Sequence, residues 1–203
     1  MLGLKRGTVK LFPHEEAWER EAERTIARLR LLLDDLAADM QHVGSTSIPG
    51  IMAKPIVDIA VAAEDFGAVL ARRVRMEEAG FFLRPTSIKN QLLFACGSYY
   101  TGEGEDQTHF IHVVEAGGPD WRDYLNFRDY LRTFPEEAGA YEALKLRLAA
   151  EHPEDAGREK YLAGKHAFIR ETIEKANRWA ARLAQPNAAG TEGRMRDPAA
   201  AGP

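Results

Sequence analysis

Between residues 15 and 36, Trp18, Ala22, Ile26, Leu29, Leu33 and Leu36 recur at intervals of three or four, with Glu16, Glu19, Glu23, Arg24 and Arg30 mostly elsewhere. This period predicts an amphipathic helix whose apolar stripe faces a core. From 56 to 62 the pattern changes to an alternating one. Val57, Ile59 and Val61 then share one strand face, and Ile56, Asp58, Ala60 and Ala62 share the other. A second helix is expected over 64–79, with Phe66, Val69, Leu70 and Val74 inward and Gly80 as its stop. Short strands are expected at 81–83 and 88–95, divided by the turn-like Arg84-Pro85-Thr86-Ser87, followed by a flexible polar loop over 99–107. Residues 108–115 read as a further strand, on which His109 and His112 point to opposite faces and Phe110, His112 and Val114 to the same one. The remainder reads as helices over 120–133, 136–150 and 158–183, with Pro135 as a break. The last of them has a stripe of Tyr161, Leu162, Phe168, Ile169, Ile173 and Trp179, with Lys165 on its edge.

The chain has 203 residues, 45% hydrophobic and 29% charged, which suits one core-forming domain over 1–184. Residues 185–203, rich in Ala, Gly and Pro without periodicity, are expected to be a disordered tail. A net charge of -4 gives no broad basic footprint, so no duplex nucleic acid is expected as a partner. No apolar run approaches the roughly 20 residues of a membrane span, and the single cysteine, Cys96, excludes an internal disulfide. A cytoplasmic location is the expectation.

Candidate chemistry concentrates in 42–61. Gly44-Ser45 ends an apolar approach, where a glycine lets the backbone turn and a hydroxyl stands beside the free N–H groups of a beginning helix, a corner that attracts anions. Lys54-Pro55 does not complete a Walker-type loop, and Gly44 directly before Ser45 is the wrong spacing for a nucleophile elbow. A nucleotidyltransferase signature needs Gly-Ser on triphosphate and two carboxylates, two residues apart on the next strand, for divalent metal. The Gly-Ser half fits, and Asp58 supplies one carboxylate, but Ala60 stands at the second position. An unpaired Asp58 amid small apolar residues is costly to bury, so it calls for a cation, metal or basic partner; the alternative is a structural aspartate that caps a helix or meets an arginine. His112 would suit a transition metal or a phosphate better than Mg²⁺.

The runs Leu4-Lys5-Arg6-Gly7-Thr8-Val9, His42 through Gly50 with Lys54-Pro55-Ile56-Val57-Asp58-Ile59, His109 to Val114, Phe127 to Arg132, Tyr141 with Leu144-Lys145, and Tyr161 to Lys165 together resemble the GrpB family, also called UPF0157. The resemblance covers about residues 4–180. It implies an α+β, nucleotidyltransferase-like fold: a mixed β-sheet with packed helices, a helical C-terminal part and a ligand cleft at the Gly-Ser corner. On that fold Gly44, Ser45, Thr46 and Ser47 are expected at a phosphate, Asp58 on Mg²⁺ and His112 beside it as the catalytic pair. Lys54, Arg128, Lys145, Tyr161 and Lys165 are expected as phosphate or base contacts. Where this chain has Phe110 the resemblance implies a further histidine, which argues against a polyhistidine metal site here. The leading expectation is a protein that binds a nucleoside triphosphate with Mg²⁺ and transfers a nucleotidyl group to an unknown acceptor. The alternative is a non-catalytic nucleotide- or phosphate-binding module that supports a partner protein, as suggested by related domains fused to dephospho-coenzyme A kinase.

Overall fold

The first apolar stripe becomes helix α1 (Glu16–Leu33). Trp18, Ala22, Leu29 and Leu33 are almost fully buried, and each large side chain removed from water contributes roughly 1.5–3 kcal/mol. The computed structural model describes residues 1–86, 88–154 and 159–185. The α-helix stops three residues before the expected end, at Asp34, whose φ of 53° turns the chain into a 3-10 turn, Asp34–Leu36.

Strands β2 (Ala37–Val43) and β3 (Val57–Ala63) form the first antiparallel pair of a five-stranded mixed sheet. After a two-residue strand β1 (Leu4–Lys5), the remaining elements of this half are helices α2 (Phe66–Ala71) and α3 (Arg73–Glu78), strands β4 (Phe82–Arg84) and β5 (Gln91–Cys96), helix α4 (Ser98–Thr101), strand β6 (Asp106–Gln107) and strand β7 (His109–Glu115). The sheet order is β2-β3-β7-β5-β4, with β3 and β7 parallel and the other pairs antiparallel. One face carries Val57, Ile59, Val61, Phe94, Ile111 and Val113 into a core with α1. The other carries Val43, Ala60, Ala62 and Val114 against Trp121. The parity expected for 56–62 is therefore the parity observed.

Three helices complete the chain: α5 (Pro119–Thr133), α6 (Pro135–Glu151) and α7 (Glu159–Leu183). Pro135 opens α6 at its first position, where its missing N–H costs nothing, so the expected break is a helix start. Ile48, Phe127, Leu131, Tyr141 and Ala176 join this helical layer to the loop after β2. In α7, Gly164 lets α6 come close, since a Cβ there would lie 2.4 Å from Leu148 Cδ2.

Four expectations need correction. The helix over 64–79 is two short helices, the first capped by Asp65 on the N–H groups of Gly67 and Ala68; the break at Arg72 leaves Leu70 and Val74 exposed rather than inward. The strand expected from residue 88 begins at Gln91, after Asn90 turns the backbone at a φ of 57°. The loop over 99–107 is structured, because β6 pairs with β1 and α4 precedes it. Leu162 is exposed, since α7 turns Tyr161 and Ala176 inward instead. Arg158, Ser87 and the expected tail beyond residue 185 lie outside the described residues.

The turn between β2 and β3 positions the site. Gly44 sits at φ 69° and ψ -172°, a conformation close to glycine-only territory, and leads into a 3-10 turn, Ser45–Ser47. Its Cα lies against Asp58, the strand partner of Val43; a Cβ would fall 2.4 Å from Asp58 Oδ2 and 3.0 Å from Asp58 Cβ. Gly44→Ala is expected to lower unfolding free energy by roughly 1–3 kcal/mol through backbone strain alone, measured by urea denaturation. A variant as stable as the parent would show that this corner can relax.

Candidate functional site

Asp58 and His112 stand on the same sheet face, on the adjacent parallel strands β3 and β7. His112 Nε2 lies 3.2 Å from Asp58 Oδ1, and His112 Nδ1 lies 3.1 Å from Gln91 Nε2. Tyr124 of α5 donates its hydroxyl to Gln91 Oε1 at 3.3 Å and tilts its ring over His112, the centroids 5.1 Å apart. This network assigns the imidazole tautomer. An amide N–H donated to Nδ1 leaves the imidazole proton on Nε2, where it is donated to the Asp58 carboxylate. Burial, with Asp58 nearby, pushes the Tyr124 hydroxyl well above its ordinary pKa, so Tyr124 stays a neutral donor. Gln91 and Tyr124 carry no motif, and only the sheet register brings them to His112.

The histidines divide as the strand parity requires. His109 is buried under α1, where its Nε2 is 3.2 Å from Thr25 Oγ1 and 3.5 Å from Glu21 Oε1. It cannot share a ligand with His112. Position 60 on the Asp58 face is Ala60, fully buried and aligned with His112. Among the described residues no three His, Cys, Asp or Glu side chains converge as a metal site. One carboxylate that already accepts a hydrogen bond from His112 fits a Mg²⁺ ion held mainly by phosphate and water better than a two-metal centre.

The Gly44–Ser47 corner separates into outward and inward groups. Thr46 and Ser47 are buried; Thr46 Oγ1 is 3.0 Å from His42 Nε2, and Ser47 donates its hydroxyl to the Gly44 carbonyl at 2.7 Å. Their hydroxyls shape the corner. His42 is held near pKa 4 by burial, so its ring is neutral. Ser45 faces the helical layer, with its Oγ 3.5 Å from the Tyr141 hydroxyl.

Beyond Tyr141 lies a cationic cluster. Lys145 Nζ sits 4.6 Å from the Tyr141 ring centroid and donates to the Met52 carbonyl. Lys54 Nζ and Lys165 Nζ approach the Tyr161 ring at 4.0 and 4.5 Å. Tyr141 in turn stacks on Phe168, with a centroid separation of 5.4 Å and an interplanar angle of 13°. Lys145 is only 1% exposed, and desolvation followed by repulsion from Lys165 pulls its amine down to about 7, against the opposing pull of Glu142. Five expected contacts, Ser45, Lys54, Lys145, Tyr161 and Lys165, are thus drawn to one region by the packing of α6 and α7 on the corner.

Arg128 is committed elsewhere. Its guanidinium makes two bonds to Asp129, at 2.7 and 3.2 Å, and donates to Gln41 Oε1 and the His42 carbonyl at 3.1 and 3.0 Å. Its role in this structure is to clamp α5 to β2. Arg132 holds the corner from the same helix by donating to the Ser47 carbonyl at 2.8 Å. Burial pushes the Cys96 thiol up to about 12, which disfavours its thiolate form.

Residues 8–175 match the family model described as GrpB protein. A glutamate-rich protein GrpB of Alkalihalophilus pseudofirmus is 36% identical over 175 residues, covering 85% of this chain and 98% of that protein. A UPF0157 protein of Deinococcus radiodurans is 37% identical over 167 residues, covering 81% of this chain and 80% of its own length. The crystal structure of the conserved protein GrpB from Enterococcus faecalis superimposes with a TM-score of 0.76 at 27% identity, over 85% of this chain and 99% of that one. No helix among the described residues is long and apolar enough to cross a membrane. With a family match over most of its length and relatives of comparable extent, the chain belongs to the GrpB family.

Proposed function

We propose that this protein binds the phosphate chain of a nucleoside triphosphate between the Gly44–Ser47 corner and helices α6 and α7. The observation that carries this reading is the convergence of Lys54, Lys145 and Lys165 on two tyrosine faces beside Ser45. The Lys145 amine is almost fully buried with Lys165 as a like charge nearby, and a polyphosphate supplies negative charge that would stabilise its ammonium form. The first N–H groups of the 3-10 turn at Ser45 add donors aimed along the turn axis. Lys54 and Lys165 offer point charges, and Ser45 offers a hydroxyl donor.

At the other end of the corner, Asp58 and His112 face the same ligand. A Mg²⁺ ion bound there would neutralise phosphate charge and draw one ligand from Asp58. Asp58 orients the ion or a ligand hydroxyl, and His112 keeps the carboxylate placed through its Nε2 proton. Ala60 at the second carboxylate position, with no three His, Cys, Asp or Glu side chains converging among the described residues, favours the second reading of this site, a nucleotide-binding module that supports a partner protein, over two-metal nucleotidyl transfer.

Three outcomes are expected. Inorganic triphosphate should bind the full chain in calorimetry, and Lys54→Ala and Lys165→Ala should each weaken it by about tenfold, one lost charged contact in a partly desolvated site; unchanged affinity in both variants would remove the cluster from the site. At pH 8 the free Lys145 amine is mostly neutral, and a bound polyanion raises its pKa, so binding should take up a proton. This appears as a binding enthalpy that varies with buffer ionisation enthalpy and disappears in Lys145→Met; a buffer-independent enthalpy in the parent would contradict it. Finally, labelled ATP, GTP, CTP and UTP with Mg²⁺ or Mn²⁺ should be bound without pyrophosphate release, and steady release would restore the transferase reading.

A further inference from the structure

A second cavity opens on the Asp58 face of the sheet. It measures about 280 Å³, and its walls include Arg6, Arg84, Tyr99, Tyr100, Gln107 and Phe110. A larger cavity of about 990 Å³ shares Arg6 and Tyr99 with it and opens toward Glu105 and Glu154. The walls come from separate parts of the chain, with Leu93 of β5 and Gln107 of β6 among them. Arg6 follows β1, Arg84 ends β4, Tyr99 and Tyr100 belong to α4, and Phe110 lies on β7. The pairing of β1 with β6 brings Arg6 to this place, a contact that no local pattern announces.

The register fixes the direction of this cavity relative to the site. Phe110 is the strand partner of Asp58, and Leu93, which also lines the cavity, is the partner of His112. Neighbouring strands are about 4.8 Å apart, so the cavity begins one strand spacing beyond the Asp58 carboxylate. Gly44, which leads into Ser45, meets the Asp58 carboxylate from the side of β2, the other neighbour of β3. Asp58 therefore stands between the Gly44–Ser45 corner and this cavity.

The chemistry of the walls selects a flat ring. Arg6 Cζ lies 4.6 Å from the Tyr99 ring centroid, and Arg84 Cζ lies 5.2 Å from that of Tyr100. The two tyrosines meet edge to face at 5.1 Å, and Tyr100 stacks on Phe82 with an interplanar angle of 23°. Gln107, 4% exposed, donates to the Tyr100 hydroxyl and holds that ring in place. Guanidinium planes and aromatic faces, preset by one another, are surfaces on which a heterocycle stacks, while guanidinium N–H groups meet its carbonyl or ring nitrogen acceptors. The smaller cavity has room for one such ring but not for a folded peptide.

We infer that the Arg6, Arg84, Tyr99 and Phe110 cavity binds the nucleobase of the nucleotide whose phosphates occupy the lysine cluster. This rests on the phosphate reading above and adds the part of the ligand that it leaves open. The full chain would be titrated in calorimetry with ATP, GTP, CTP, UTP and inorganic triphosphate, alongside Tyr99→Ala, Tyr99→Phe and Arg84→Ala checked for native circular dichroism. At least one nucleotide should bind about tenfold more tightly than triphosphate, the contribution expected of one stacked base. Tyr99→Ala and Arg84→Ala should remove most of that gap and leave triphosphate affinity within about twofold, while Tyr99→Phe should keep it. If all four nucleotides bind no better than triphosphate, or the gap survives both alanine variants, the cavity is not a base site and the phosphate reading stands. If triphosphate itself does not bind, the phosphate reading fails and the base assignment falls with it.

Discussion

The close approach of the Asp58 carboxylate to the Cα of Gly44 is the constraint on which the rest of the site depends. A carboxylate on a strand otherwise built of Val, Ile and Ala would be costly to enclose, and here it is not enclosed. Gly44 has no side chain to displace it, and the carboxylate stays partly exposed, at 28%. The turn that follows Gly44 aims Ser45 at the helical layer. One backbone conformation thus sets both the carboxylate and the hydroxyl, and it is available because residue 44 is glycine.

Two unlike neighbourhoods flank that corner. On the strand side a hydrogen-bonded series runs from Tyr124 through Gln91 and His112 to Asp58, in which each group is oriented by the next and the imidazole has a defined tautomer. On the helix side positive charge is gathered instead. Three lysine amines share two tyrosine faces, and Lys145 also donates to the Met52 carbonyl. Burial and the neighbouring Lys165 lower the pKa of Lys145. A series of satisfied hydrogen bonds serves placement, whereas crowded positive charge serves attraction, and the proposed division between Asp58–His112 and the lysines follows from that difference.

Several departures from local expectation have one origin, the preference of a short segment for a partner far away in the chain. Residues 99–107 are polar and contain two glycines, yet β6 forms because β1 offers it free backbone groups. Arg128 has the composition of a phosphate ligand, yet the carboxylate of Asp129 and the acceptors of Gln41 and His42 are nearer. Thr46 and Ser47 look like donors to a ligand, yet Ser47 closes the turn on the Gly44 carbonyl and the Thr46 hydroxyl meets His42 of β2. In each case burial and proximity, which local spacing does not encode, chose among acceptors of similar chemistry.

Strand faces and the nature of the corner follow from residue order alone. A period of two places Asp58 with Ala60 and divides His109 from His112, and Gly44 before Ser45 requires a turn; none of this depends on what packs nearby. The resemblance carried by the Gly-Ser corner and the Lys54–Asp58 run extended that to the family and its mixed sheet. Which cations meet depends on packing between distant segments. Lys54, Lys145 and Lys165 are separated by 90 and 19 residues, and Arg6 and Arg84 by 77; their grouping exists because α6 and α7 pack on the corner and β1 pairs with β6. Side-chain periodicity is a property of neighbours along the chain, while a binding site is a property of neighbours across it.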